Sequence, residues 1–140
     1  MKTRFALFAG AALVVLTVSA YAHHPFSAEY DWTKPVTLTG TVNKFEWSNP
    51  HSYLYVDGKD DKGQMKQWKL ELASPNALTR AGWTRNMLKK GDQITVDAWL
   101  AKDNKEQANV KSVKLADGRE FSGGSSIGEV KVPKSKPISN

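Results

Sequence analysis

Five stretches of period-two hydrophobic alternation, with one short helical stretch after the third, constrain this chain more than any other feature. In the first, Val36, Leu38 and Val42 alternate with threonines, and the apolar phase then slips to Phe45 and Trp47, with Gly40 in between. A one-residue shift sends every side chain of a strand to its other face, so this slip predicts a bulge or sharp bend in a long strand. After the Ser48-Asn49-Pro50 break, Leu54 and Val56 alternate with Tyr53 and Tyr55, while Trp68, Leu70 and Leu72 share one face of the next stretch. The polar turn from Asp57 to Gly63 joins these two as a hairpin. Ser74-Pro75 supplies a helix cap and a first-turn proline, Ala77, Leu78 and Ala81 continue the helix, and Gly82 ends it. Ile94, Val96, Ala98 and Leu100 make a fourth strand, and Ala108, Val110, Val113 and Leu115 a fifth with its own slip. A short addition after Asp117-Gly118 ends at Phe121. The order predicts an all-β domain with one short helix, a five- to six-stranded OB-like Greek-key barrel over residues 36–121. An SH3-like barrel or a small sandwich is the runner-up.

The flanks read differently. Lys2 and Arg4 precede an apolar run from Phe5 to Val18, and Ala20 and Ala22 occupy small-residue positions, the layout of a cleaved secretory signal peptide over residues 1–22. The apolar run falls short of the roughly 20 residues a membrane span needs, which makes an uncleaved anchor the lesser alternative. Removal of 22 from 140 residues leaves 118, enough for one modest core, and takes the formal charge from +6 to +4 as Lys2 and Arg4 depart. Such an excess attracts anions only weakly. The expected location is periplasmic or secreted, with no stable membrane span after cleavage and no nucleic-acid partner. Residues 23–35 carry Phe26, Tyr30, Trp32 and two prolines without periodicity and are expected to be an irregular arm with aromatic anchors. Residues 122–140, rich in Gly, Ser, Lys and Pro, are expected to be a disordered tail.

The chain contains no cysteine, so it has no disulfide, thiolate ligand or thiol nucleophile. Its three histidines are His23, His24 and His51. Cleavage after Ala22 leaves His23 amino-terminal, where its α-amine and imidazole chelate one ion; cleavage after Ala20 puts histidine third, with two amides between amine and imidazole. Both arrangements suit Cu(II). His51 completes the set if the arm folds back, which makes His23, His24 and His51 the candidate metal ligands and copper the candidate cofactor. Zinc, with Glu29 or Asp31 added, is the alternative.

A metal-free module binding a small ligand or an envelope protein is the second reading, with Trp47, Asn49, Tyr53 and Asn76 as its surface. Exposed rings such as Tyr53, Tyr55 and Trp99 can also stack on sugars, although packing beneath the arm is the commoner use of large aromatics. No nucleophile elbow, phosphate loop or His-Glu-x-x-His motif occurs, so no enzyme is expected. An enzyme requires a pocket joining His51 to an acid such as Glu71.

The segments His23-His24-Pro25-Phe26, Glu29-Tyr30-Asp31, Val36 to Val42, Trp47-Ser48-Asn49-Pro50-His51-Ser52, Ser74-Pro75-Asn76-Ala77-Leu78, Gly82-Trp83-Thr84-Arg85 and Lys90-Gly91-Asp92 form a specific set. Together they resemble a bacterial family of small exported proteins catalogued as a domain of unknown function, DUF6152-like, from His23 to about Phe121. The resemblance implies an exported small β-domain and supplies no mechanism. At the mature terminus alone, the histidines resemble those of histidine-brace copper proteins.

Overall fold

A computed structural model describes residues 26–103 and 105–124 of the chain. The threonine-rich alternation begins earlier than its apolar pattern suggests. After a four-residue helix α1 (Phe26–Glu29), strand β1 (Tyr30–Glu46) runs for 17 residues. Its buried side is Val36, Leu38, Gly40 and Val42, and the register then breaks between Val42 and Lys44, leaving Asn43 as the extra residue. The expected bulge thus lies at Asn43. Gly40 has another task. A Cβ there would run into the Asp57 carbonyl oxygen of the neighbouring strand, so only glycine permits this approach of the two backbones.

Bending lets β1 serve two partners, both antiparallel. Its earlier part pairs with β4 (Gln93–Ala101), from Pro35↔Trp99 to Thr41↔Gln93, and its later part pairs with β2 (Ser52–Lys59), from Thr39↔Lys59 to Glu46↔Tyr53. Strand β2 continues into β3 (Met65–Leu72) as the expected hairpin. Helix α2 (Pro75–Arg80) follows, with the Ser74 hydroxyl accepting from the Ala77 amide as its cap. Strand β5 (Gln107–Leu115) pairs antiparallel with β4, and a short β6 (Glu120–Ser122) lies along β5. One further pairing is parallel. Lys69, Leu70 and Glu71 of β3 lie against Gln107, Ala108 and Asn109 of β5, so the hydrogen-bonded neighbours return on themselves in the order β1, β2, β3, β5, β4, β1. The fold is mostly β, with two short helices where the sequence reading expected one.

Inside this ring the strands present Leu38, Val42, Leu54, Val56, Leu70, Leu72, Val96, Val110 and Val113, all at most 1% exposed. Burying each of these side chains contributes about 1.5–3 kcal/mol. Leu78 of α2 and the following Trp83 join the same cluster. Trp83 packs against Phe45 and Phe121, and its indole N–H donates to the Ser122 carbonyl at 2.8 Å.

Both flanks differ from the expectation over the residues described. The arm read as irregular is α1 from Phe26 and strand from Tyr30, because Tyr30 pairs with Ala101 and the Lys102 amide donates to the Glu29 carbonyl. At the other end Gly123 belongs to the packed domain. Its amide donates to Lys111, its carbonyl accepts from Ala73, and a Cβ would strike the Val110 carbonyl. The remainder of the expected tail, 125–140, and the expected signal peptide, 1–22, lie outside the described residues. No helix among the described residues is long and apolar enough to cross a membrane.

Candidate functional site

Alternation sends every second residue of β2, β3 and β5 away from the core, and at the parallel seam this places Glu71 beside Asn109 on the outer surface. Tyr53 is paired with Glu71 from the β2 side, and Trp99 with Asn109 from the β4 side. The start of the described chain lies over this patch. Phe26 meets Trp99 edge to face at 5.8 Å and stacks tilted on Tyr30 at 5.4 Å, while the Lys102 ammonium donates to the Ser27 carbonyl. Tyr30 is thereby only 4% exposed and Asn109 only 6%.

Beneath that cover the polar groups converge on one carboxylate. The Tyr30 hydroxyl donates to Glu71 Oε2 at 2.9 Å, and Asn109 Nδ2 donates to Oε1 at 3.4 Å. His51, just before β2, brings Nδ1 to 3.4 Å from Oε1 and to 3.3 Å from the Leu72 carbonyl oxygen. A carbonyl can only accept, so His51 Nδ1–H donates to the Leu72 oxygen, with the Glu71 carboxylate 3.4 Å from the same nitrogen. No partner for Nε2 is present among the described residues. The Glu71 side chain is 13% exposed and that of His51 37%, so the ring stands at the boundary between this layer and solvent.

Burial, and then the Glu71 carboxylate, push the Tyr30 phenol far above its ordinary range, so it stays protonated and remains a donor. Burial and then Glu71 also raise Tyr53, whose ring lies 4.4 Å beneath the Lys69 ammonium. Chemically, the arrangement sets a carboxylate behind an imidazole whose Nε2 has no partner among the described residues, as carboxylates stand behind metal-bound histidines.

The other expected site residues are scattered. Trp47 is partly buried and packs edge to face on Phe45 at 5.6 Å, against the core. Asn49, whose peptide bond to Pro50 is cis, is exposed, as is Asn76 in the first turn of α2. Neither hydrogen-bonds to the Glu71 network among the described residues. Tyr53 alone of the four borders it. His23 and His24 lie outside the described residues, and among those described no three His, Cys, Asp or Glu side chains gather where one ion could be held.

Glu71 and His51, named together as the acid and histidine an enzyme would need, are indeed in contact. Yet two concavities formed by the described residues, of about 390 and 360 Å³, are lined by neither. Glu46 accepts from Lys44 at 2.8 Å. Tyr30 and Asn109 were missed as polar participants. Tyr30 reads as an aromatic anchor, and Asn109 lies unmarked between the apolar Ala108 and Val110.

The description "Family of unknown function (DUF6152)" matches residues 11–110. The chain belongs to DUF6152. The match covers β1 to β4, the His51 loop, Glu71 and Asn109, so the whole polar network lies within the DUF6152 region. No curated protein and no solved structure matches the chain.

Proposed function

We propose that this protein is exported, loses residues 1–22 as a signal peptide, and works in the periplasm or outside the cell as a small barrel of the OB type that binds Cu(II). The barrel reading is supported by the ring of strand pairings and by the helix between the third and fourth strands. The copper reading is carried by one observation. His51 Nδ1 hydrogen-bonds to the Leu72 carbonyl with the Glu71 carboxylate 3.4 Å away, which leaves Nε2 as a ligand for a borderline metal. The amine and imidazole of His23, with His24 beside them, supply the remaining nitrogens. Their tether favours this assembly, since His24 lies two residues ahead of Phe26, and Phe26 packs on the Tyr30 whose hydroxyl meets the carboxylate beside His51.

The test is Cu(II) titration of protein expressed with export, its amino terminus defined by mass spectrometry, followed by electron paramagnetic resonance. One tight, tetragonal, nitrogen-rich site per chain is expected. His51→Ala should weaken binding at least tenfold, about 1.4 kcal/mol. Weak binding at several sites overturns the metal reading and favours the metal-free module, with a small molecule or an envelope protein as its partner. A tight site unaltered by His51→Ala reduces it to a terminal chelate.

A further inference from the structure

Three carboxamide side chains and a tyrosine ring meet in the concavity of about 390 Å³, which neither His51 nor Glu71 lines. Its place follows from the register of the strands. The parallel seam begins at Lys69↔Gln107, and the concavity lies at that end of it, lined by Gln67, Trp68 and Lys69 of β3 and by Lys105, Glu106 and Gln107 where β5 begins. Tyr55, which pairs with Lys69, completes the lining together with Asn43, the residue that the β1 bulge adds opposite Tyr55 and Val56. We propose that this concavity binds a neutral saccharide, with Tyr55 against the C–H face of a sugar ring and Asn43, Gln67 and Gln107 on its hydroxyls.

The ligand class follows from which groups are already satisfied. Each charged side chain of the lining has a partner. Lys105 lies 3.1 Å from Asp103 and Glu106 3.5 Å from Lys66, while the Lys69 ammonium sits 4.4 Å from the centre of the Tyr53 ring. An ionic ligand would have to compete with these contacts. The carboxamides of Asn43, Gln67 and Gln107, by contrast, have no hydrogen-bond partner among the described residues. A carboxamide presents two donor hydrogens and a two-lone-pair acceptor, and a hydroxyl both donates and accepts, so three of them together match a ring bearing several hydroxyls. Trp68 is a further unsatisfied group of the same lining. It is 4% exposed, and its indole N–H is buried without an acceptor among the described residues. Tyr55 is half-buried and carries the Lys44 ammonium 5.6 Å from its ring centre, which steadies the one aromatic surface that the outward-facing residues bring to the lining. The volume lies within the range of small-molecule sites, roughly 300–1,000 Å³.

Copper plays no part in this site, so the metal-free protein tests it directly. Exported protein labelled with ¹⁵N is titrated with maltose, cellobiose and N,N′-diacetylchitobiose, and with galacturonate as the charged control. At least one neutral sugar should give saturable shifts, with a dissociation constant of ~1 mM, at the side-chain amides of Asn43, Gln67 and Gln107 and the backbone amides of Tyr55 and Val56. Added salt should leave that affinity unchanged, because no ion pair forms or breaks. Gln67 is exposed, so Gln67→Ala should fold as the wild type does and weaken binding ~2–10-fold, as expected for one lost hydrogen bond. Tyr55→Phe should bind like the wild type, and Tyr55→Ala should lose most of the affinity while its β4 and β5 amides keep their shifts. Absence of saturable shifts with all three neutral sugars overturns the proposal, as do shifts centred on other residues. Salt-sensitive binding of galacturonate alone overturns it in favour of an anion site. Equal affinities in the wild type, Gln67→Ala and Tyr55→Ala overturn the assigned contacts and the site with them.

Discussion

The two faces of the seam between β3 and β5 are built on opposite rules. On the inner face Leu70, Ala108 and Val110 are fully buried among other apolar side chains. On the outer face Glu71 and Asn109 are almost as deeply covered, by Phe26, Tyr30 and Trp99, yet that layer is a hydrogen-bond network. The same backbone register builds both. A dry interior gains stability from every methylene removed from water, whereas a covered polar layer gains only what its hydrogen bonds return above the cost of desolvation. The inner face therefore accounts for why this chain folds, and the outer face is where a function is to be sought.

The largest effect should come from the inner face. Leu70→Ala removes a side chain with no exposure at the point where the ring of strands joins, and should destabilise by ~2–5 kcal/mol in chemical denaturation. A loss well under 2 kcal/mol would show that this seam tolerates a cavity, and the contrast between the faces would weaken.

The inner face was largely legible in the sequence, and the outer one was not. Period two identifies Leu54, Val56, Leu70, Leu72, Ile94 and Val96 as core residues with no knowledge of their partners, and the phase slip from Val42 to Phe45 announces the Asn43 bulge. Inward-pointing apolar residues advertise themselves because burial is a property of each strand alone. The parallel pairing of β3 with β5 leaves no local mark, since no turn connects the two strands. Without it nothing brings Glu71 to Asn109. Tyr30 is harder still, because its partner lies 41 residues away and its ring alone looks like an apolar anchor. His51 and Glu71 stand out in the sequence as chemistry-bearing types, but their contact depends on pairing β2 with β3 in a register that the hairpin fixes only once its turn is known.

Tyr30→Phe probes the outer layer with its ring packing kept. The substitution removes the 2.9 Å donor to Glu71 and leaves Phe26 against an unchanged surface. A hydrogen bond to a charged acceptor contributes about 1.5–3 kcal/mol, and Glu71 keeps the Asn109 donor, so a loss near the lower end is expected. Hydrogen exchange gives the sharper reading. Faster exchange should concentrate in Glu29 to Asp31 and at Lys102, whose amide donates to Glu29, while the amides of β2 and β3 stay protected. Uniform acceleration across all strands would mean that the covering segment is part of the core rather than a layer laid over it.

The smallest effect should come from Asn109→Leu, and its smallness would be the informative result. Asn109 is 6% exposed, its Nδ2 reaches Glu71 only at 3.4 Å, and its Oδ1 is buried without a partner among the described residues. Leucine has nearly the same volume, so the exchange gives up one long hydrogen bond and removes one unpaired acceptor. The lost bond and the removed unpaired acceptor act in opposite directions, and Glu71 keeps its Tyr30 donor. Unfolding free energy should therefore stay within about 1 kcal/mol of the wild type. On the inner face the reverse exchange, Val110→Asn, would bury an amide with no acceptor in reach. A large loss in Asn109→Leu would show that the outer network stabilises the fold as the core does, and its polar character would then need no further explanation. A near-neutral result leaves the polar character of this layer unexplained by stability.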